Sequence, residues 1–543
     1  MKRLVLIVFG VLFGTLLFAG PASAHATLII SDPSDGARLK TAPKTVTLNF
    51  DENVGIGSVG YVHVTDQSGK SVDARAAYHP GGDGSRVADD LRDSLGDGTY
   101  TVSWRVISAD SHPVAGVVRF VVGNGPLVVS NVGSGPTVNH ATSVLFDISR
   151  WIGFGGLALL GGVWLALTVW PQGRDDLRAK RLVLGGWLAS TAGALLELLL
   201  QGPYTAGTGP SRTFSSALID STLHSNYGQL LSLRLVLLGV LAVILARAMQ
   251  PAVQNGQGQS RIETAVWPIA VVMASTFSGA GHADTTNPRW LSIVLDATHV
   301  LSMTAWLGGL LMLLLAVLPR HEPEELQAVL PVFSRVAFVA IGALAITGTY
   351  AAWRGIGAWA AIFGTTYGLL VMAKVLLFVG LLAVGNMSRR LVQRRATREG
   401  ATIRLRRAVF VEAVIGLSVL AFTSVLVAEP RGAEALAADY RKPHSATASL
   451  GGGKSVTVTV EPGVHGLITA TVELSSPAQS IEATATQNAK RIGPIPLKLV
   501  ANGKLLYSAG GVNLPVAGAW EFDLVVTESE FNAITADVVI NLH

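Results

Sequence analysis

The sequence predicts a mixed architecture: an N-terminal β-sandwich, an eight-helix transmembrane bundle and a C-terminal β-sandwich. Three observations carry this reading. Half of the 543 residues are hydrophobic and only 14% are charged, against about 25% in a typical globular domain, and the mean hydropathy is +0.46. The apolar residues concentrate in the middle of the chain, in runs long enough to cross a bilayer. On either side, residues 25–123 and 445–543 carry short runs in which apolar and polar residues alternate, as half-buried strands require. Cysteine is absent, which excludes disulfide-stapled scaffolds, cysteine-ligated metal centres and thiol catalysis.

At the start of the chain, Lys2 and Arg3 precede the apolar run Leu4 to Phe18, and Ala22-Ser23-Ala24 supplies small residues at a cleavage position. This pattern reads as a secretory signal over residues 1–24, with a mature start at His25. An uncleaved anchor is the alternative, disfavoured because the apolar stretch is short for a span.

Residues 25–123 then read as a β-domain. Thr45-Val46-Thr47-Leu48-Asn49-Phe50, Thr99-Tyr100-Thr101-Val102-Ser103-Trp104 and Val117-Val118-Arg119-Phe120-Val121-Val122 have strand character. Asp32-Pro33, Gly81-Gly82 and Gly96-Asp97-Gly98 punctuate them as turns. A linker over 124–142 leads to the membrane domain, 143–428. Its eight expected spans are 143–170, 182–203, 229–249, 264–280, 291–318, 331–353, 366–388 and 408–428. Glycines and other small residues within them favour close helix packing in lipid. A second linker, 429–444, leads to the C-terminal β-domain, where Ser455-Val456-Thr457-Val458-Thr459-Val460 and Trp520-Glu521-Phe522-Asp523-Leu524 alternate again.

Loop charge orients the bundle. Arg174, Arg178, Lys180 and Arg181, then Arg247 and Arg261, then Arg320, and finally the cluster from Arg389 to Arg407 all follow odd-numbered spans. The positive-inside rule makes these segments cytoplasmic. Both β-domains then lie on the external face of a plasma (inner) membrane. The net charge of +5 is accounted for by these loops, and no basic patch with interleaved aromatics points to nucleic acid.

Cleavage before His25 places an α-amine beside an imidazole, two nitrogens able to chelate one metal ion. Further along, Asp110 and His112 are two residues apart, so an extended chain turns both to the same face, and Pro113 biases His112 toward extended geometry. One amine, two imidazoles and one carboxylate suit a tetragonal Cu(II) ion. His63, His79 and Asp73 lack such a pattern and read as solvated surface.

These residues sit in a pattern that resembles the CopC copper-resistance family: His25-Ala26, Asp32-Pro33, the strand Leu48-Asn49-Phe50-Asp51-Glu52, and the stretch from Tyr100 to Gly116 containing Ser108-Ala109-Asp110-Ser111-His112-Pro113. The resemblance implies Cu(II) ligation by His25, Asp110 and His112, with Glu52 orienting the terminal amine. Residues 25–123 contain no methionine, so the methionine-rich Cu(I) site of some family members is not expected. The membrane region resembles CopD, through Gly281-His282-Ala283, Asp296-Ala297-Thr298-His299 and Ala305-Trp306-Leu307-Gly308-Gly309. The chain as a whole resembles a CopC–CopD fusion.

Asp296, His299 and Met303 fall at i, i+3 and i+7, on one helix face. With Glu197, Arg234 and Lys374 they are expected toward the outer half of the bilayer. Ionisable groups cost about 2.5 kcal/mol or more there, so they face a bundle interior or a pathway. Asp296, His299 and Met303, with His282, form a candidate copper pathway, the thioether of Met303 favouring Cu(I). Hydrogen bonding between helices by Asp296 and His299, and packing by Met303, is the competing reading. His444 and His465 lack ligand spacing, and a structural or docking role is expected for them.

The function expected from the whole is a non-enzymatic membrane protein. It captures Cu(II) outside the cytoplasm and passes copper to its membrane domain for import or homeostasis, with an extracytoplasmic donor and a cytoplasmic acceptor as partners. No Walker-type phosphate loop is present. A copper sensor or buffer is the alternative, and a copper-dependent oxidative enzyme a more distant one, because the carboxylate of Asp110 would occupy a coordination position that oxygen activation needs.

Overall fold

The structure is a computed structural model. It describes residues 26–543 apart from 27, 57–59, 94, 109–112, 124–138, 251–255, 280–288, 321, 394–398, 502–503 and 530–531; within helices, the side chains of 256–263, 279, 289, 391, 393 and 399–402 are also left aside. The described residues form two compact units, one of helices and one containing both β-regions.

The N-terminal β-region has seven strands: β1 (Leu28–Asp32), β2 (Ala37–Leu39), β3 (Thr45–Phe50), β4 (Tyr61–Asp66), β5 (Arg86–Asp90), β6 (Gly98–Ile107) and β7 (Pro113–Val122). They form two sheets, ordered β1-β3-β5 and β2-β7-β6-β4. The alternation of β3 buries Val46, Leu48 and Phe50, which join Val102, Trp104 and Phe120 in the core. The Phe50 and Trp104 rings meet edge-on at 5.3 Å. Burying each such large side chain contributes about 1.5–3 kcal/mol.

The C-terminal β-region comprises β8 (His444–Gly451), β9 (Lys454–Glu461), β10 (Gly466–Leu474), β11 (Ser480–Gln487), β12 (Ile492–Leu497), β13 (Val500–Ala501), β14 (Leu506–Leu514), β15 (Gly518–Ser529) and β16 (Asn532–Leu542). Its two sheets run β13-β14-β10-β9-β8 and β12-β11-β15-β16. Trp520, Phe522 and Leu524, at alternate positions of β15, are buried between them. The two β-regions touch. Arg119 of β7 reaches Glu461 at the end of β9, 3.7 Å apart. Gly36, at φ +74°, approaches Thr469 so closely that a Cβ would lie 3.0 Å from its hydroxyl oxygen. A side chain there would be both strained and crowded.

The helical unit is built on α1 (His140–Gly161), α2 (Leu177–Ala206), α3 (Asn226–Ala248), α4 (Gly256–Gly279), α5 (Arg289–Met312), α6 (Pro323–Ile356), α7 (Thr366–Gln393) and α8 (Glu399–Leu426). Among the described residues seven helical stretches, not the eight expected, are long and apolar enough to cross a membrane. The exception is the expected span 264–280. It lies in α4, whose described apolar part, Thr264–Ser278, is shorter than the others. The bundle also holds short helices between the long ones, among them Ser216–His224 and Ala361–Gly364. A further helix, α9 (Gly432–Tyr440), lies in the segment read from the sequence as a linker.

Glycines set the approach of α1 to α2. A Cβ on Gly193 would lie 2.6 Å from the Cα of Gly153, and one on Gly186 would lie 2.7 Å from the backbone nitrogen of Leu160. Small residues permit this backbone contact, which is a main source of helix association in lipid. At one end of the bundle, Asp176 caps α2 by accepting from the backbone of Arg178 and Ala179. It also pairs with Arg320 at 2.9 Å, and Arg320 pairs in turn with Glu325 at 2.9 Å.

Candidate metal centres

Of the ligands expected at the N-terminus, His25, Asp110 and His112 lie outside the described residues. Glu52 is described and half-buried, two residues past β3. The strand register fixes where the flanks of these segments meet. β1 runs antiparallel to β3 with Leu28 opposite Phe50, so the start of β1 lies beside the end of β3 that leads to Glu52. Gly55 then bridges Ile107, through Gly55 N–H to Ile107 O at 2.6 Å and the reverse bond at 2.8 Å. Ile107, the last residue of β6, pairs with Pro113, the first of β7. Leu28, Phe50, Gly55, Ile107 and Pro113 thus bring the flanks of all three predicted segments to one end of the domain. His63 pairs with Asp73 at 2.9 Å on the surface, and His79 donates from Nδ1 to Arg86 O at 2.7 Å.

His282 also lies outside the described residues. Asp296, His299 and Met303 all lie on α5. Asp296 accepts a hydrogen bond from Ser278 of α4 and faces the charge of Lys374 on α7. His299 feels the same lysine. The His299 Nδ1 is 2.8 Å from Thr347 Oγ1 on α6, and that hydroxyl gives its proton to Ala343 O at 2.7 Å. A hydroxyl has one proton to give, so here it accepts from Nδ1–H, and the His299 Nε2 keeps its lone pair. Met303, one turn on, is buried in the bundle core. Asp296, His299 and Met303 thus share α5, and three neighbouring helices bring Ser278, Thr347 and Lys374 to Asp296 and His299. Of these partners the sequence had pointed only to Lys374. Serine and threonine are common packing residues in membrane helices, so neither hydroxyl carries a signal of its own.

A second buried polar cluster joins α2, α3 and α4. Tyr227 donates to Glu197 Oε2 at 2.8 Å, and Arg234 Nη1 lies 3.8 Å from the same oxygen. Arg234 also donates from Nε and Nη2 to Thr276, at 3.2 and 3.3 Å, and lies over the Phe277 ring at 3.5 Å. Arg150 of α1, stacked on Phe146 at 4.3 Å, adds a second cation within reach of Glu197. The sequence did not point to Tyr227 and Arg150: Tyr227 lies in the polar stretch Ser225–Gln229 at the edge of an expected span, and Arg150 has Asp147 as a local partner three residues earlier, 3.6 Å away. Among the described residues no three histidine or acidic side chains converge closely enough to hold a metal ion.

Fold and geometry define a multi-pass membrane protein with a histidine–carboxylate–lysine cluster in its helical bundle and two packed β-domains. Comparison with known proteins narrows the class. Residues 28–123 match the CopC domain family, and residues 327–426 match Copper resistance protein D. The Copper transport protein CutJ of Bacillus subtilis (strain 168) is 26% identical over 452 residues, covering 82% of this chain and 80% of that protein. Protein YobA of Escherichia coli (strain K12) is 36% identical over 99 residues, 18% of this chain and 79% of YobA. Copper resistance protein C of Xanthomonas campestris pv. juglandis is 34% identical over 119 residues, 21% of this chain and 91% of that protein. The crystal structure of CopC from Methylosinus trichosporium OB3b is 27% identical, covering 20% of this chain and all of that one, with a TM-score of 0.17. The chain belongs to the CopC family and joins its CopC domain to a CopD domain, as in a CopC–CopD fusion.

Proposed function

We propose that the protein captures Cu(II) outside the cytoplasm at an N-terminal site formed by His25, Asp110 and His112, with Glu52 orienting the terminal amine, and passes copper into its membrane domain for import or homeostasis. The strand register carries this reading: Leu28 against Phe50, Gly55 against Ile107 and Ile107 against Pro113 gather the flanks of every proposed ligand at one end of the β-domain. The donor set, two imidazoles with an amine and a carboxylate, suits Cu(II). The names of the relatives, a copper transport protein and a copper resistance protein, support the same cargo and a role without catalysis.

In the membrane domain the proposed pathway runs through His282, Asp296, His299 and Met303. The open Nε2 of His299 offers a nitrogen ligand inside the bundle, and the thioether of Met303, one turn away, a softer donor suited to Cu(I). Both β-domains lie on the external face, with α4 completing an even number of crossings. An extracytoplasmic donor and a cytoplasmic acceptor complete the route.

Two measurements test the reading. Cu(II) affinity and electron paramagnetic resonance of the exported form, compared with His25→Ala, Asp110→Ala and His112→Ala, should show weakened binding in each variant; wild-type spectra and affinity in all three overturn the ligand set. Radiocopper flux into oriented vesicles should fall in His112→Ala. Unchanged flux and unchanged cellular copper after deletion, with binding intact, would instead identify a buffer or sensor.

A further inference from the structure

The C-terminal β-domain gathers three histidines at one end, far apart in sequence. His444 opens β8, His465 immediately precedes β10, and His543 follows β16. His444 Nδ1 lies 2.9 Å from Asn541 O, and His465 Nδ1 lies 2.8 Å from His543 O. The backbone N–H of His465 donates to that same oxygen at 3.1 Å, and His543 N–H donates to Gly463 O at 3.2 Å. Neither main-chain oxygen donates, so Nδ1 carries the proton in both rings and each Nε2 keeps its lone pair. An Nδ1–H tied to a backbone carbonyl is the arrangement that fixes the tautomer and orientation of metal-binding histidines.

The third ring is placed differently. His543 stacks on Tyr440 at 3.9 Å, nearly parallel, and meets the His444 ring edge-on at 5.5 Å. Asp439, held by Lys442 at 2.7 Å, lies within electrostatic reach of His444 and His543. All three rings reach solvent, so an ion can enter without unfolding.

We propose that His444, His465 and His543 form a second metal site, distinct from the N-terminal one, which takes a divalent ion of the imidazole-binding class. Cu(II) is favoured over the other first-row divalent ions by its place in the Irving–Williams order. The three side chains are not convergent as they stand. Metal binding would draw the three solvent-reaching rings together, with the His543 ring leaving its stack on Tyr440. The cluster is not legible along the chain, because residues on β8, before β10 and after β16 meet only through the sandwich topology.

The test uses the full chain in detergent and Cu(II) as the probe, with glycine as a weak competitor to remove loosely held ions. His444→Asn and His465→Asn are the informative variants. The asparagine amide stands where Nδ1 stood and donates to the same carbonyl, but offers nothing in place of Nε2. The double variant should bind one Cu(II) fewer than wild type and lose one set of resonance signals, while the metal-free protein melts at the wild-type temperature. Wild-type stoichiometry and spectrum in the double variant overturn the proposal. His543→Phe keeps the stack on Tyr440 and removes the third ligand: at least tenfold weaker binding of that ion upholds the site, and unchanged binding overturns it. The N-terminal ligands are untouched in all these variants, so loss of this site and loss of the N-terminal one are read separately.

Discussion

The helical bundle holds the carboxylates of Glu197 and Asp296 in opposite ways. Glu197 is enclosed: a tyrosine hydroxyl donates to it at 2.8 Å, and Arg234 beside it is itself tied to Thr276 and stacked on Phe277. That cation faces Glu197 at 3.8 Å. Asp296 has Ser278 as donor and a lysine at electrostatic range, with an imidazole one turn along whose Nε2 is open. Burial cost is shared by both sites, but only one leaves a ligand uncommitted. The first arrangement ties helices together through a charge pair, and the second sets a carboxylate beside an imidazole with an open nitrogen.

The largest expected effect breaks the saturated cluster. Glu197→Ala leaves Arg234 buried opposite nothing, and removing one partner of a buried pair costs about 3–5 kcal/mol. Thermal melting in detergent should show it as a loss of folded protein. The double variant Glu197→Gln/Arg234→Met should recover most of that stability, because the unpaired charge is gone. If the single and double variants melt alike, the pair is not what holds α2 to α3.

Asp89 of β5 is the limiting case, a fully buried carboxylate with no cation in contact. Neither of its oxygens meets a donor. Burial, then the nearby charge of Asp73, raises its pKa from 3.8 to about 8, and the retained proton lets Asp89 donate to Asp73. The folded state holds this proton more tightly than the unfolded chain does. Its contribution is therefore complete below the ordinary value of 3.8 and is lost as pH rises to about 8. The Arg75 cation already limits this shift, and stability should fall progressively across the whole window. Denaturation midpoints of the full chain should fall between pH 5 and pH 8, and Asp89→Asn should flatten that slope. An equal slope in the variant would assign the pH dependence to another group.

His299→Asn addresses the open cluster. The amide still donates to Thr347, so the melting temperature should hold, while the ligand Nε2 is gone. Copper accumulation should fall about tenfold, equivalent to about 1.4 kcal/mol. Unchanged accumulation removes His299 from the pathway and makes the two clusters alike.

Much of this organisation was legible in the sequence, for identifiable reasons. Strands such as Thr45–Phe50 follow a period of two that matches their burial residue by residue, and the face Asp296-His299-Met303 is local to one helix. Span 264–280 falls within α4, but among the described residues only Thr264–Ser278 of it counts as an apolar helix. What the sequence did not disclose is everything that depends on contacts between elements. Thr347 is 48 positions from His299, and Arg150 meets Glu197 only because glycines let α1 and α2 approach. His444 and His465 lack ligand spacing along the chain, and only the sandwich topology brings them, with His543, to one end of the domain.

Thr347 gives the smallest and most diagnostic effect. Its hydroxyl decides the tautomer of His299 by giving its proton to Ala343 O and accepting from Nδ1. Thr347→Val preserves shape and removes the acceptor, leaving a buried N–H unpaired at a cost of about 1–3 kcal/mol. Part of that cost is avoided if the proton moves to Nε2, which closes the ligand nitrogen. Copper accumulation should then fall about threefold, less than in His299→Asn, because the Nε2–H tautomer is favoured but not enforced. Thr347→Ser restores the hydroxyl and should restore accumulation. A packing role for Thr347 predicts the reverse order, with valine tolerated and serine impaired by the methyl it lacks, so the pair of variants separates a tautomer-setting hydroxyl from one that only fills space.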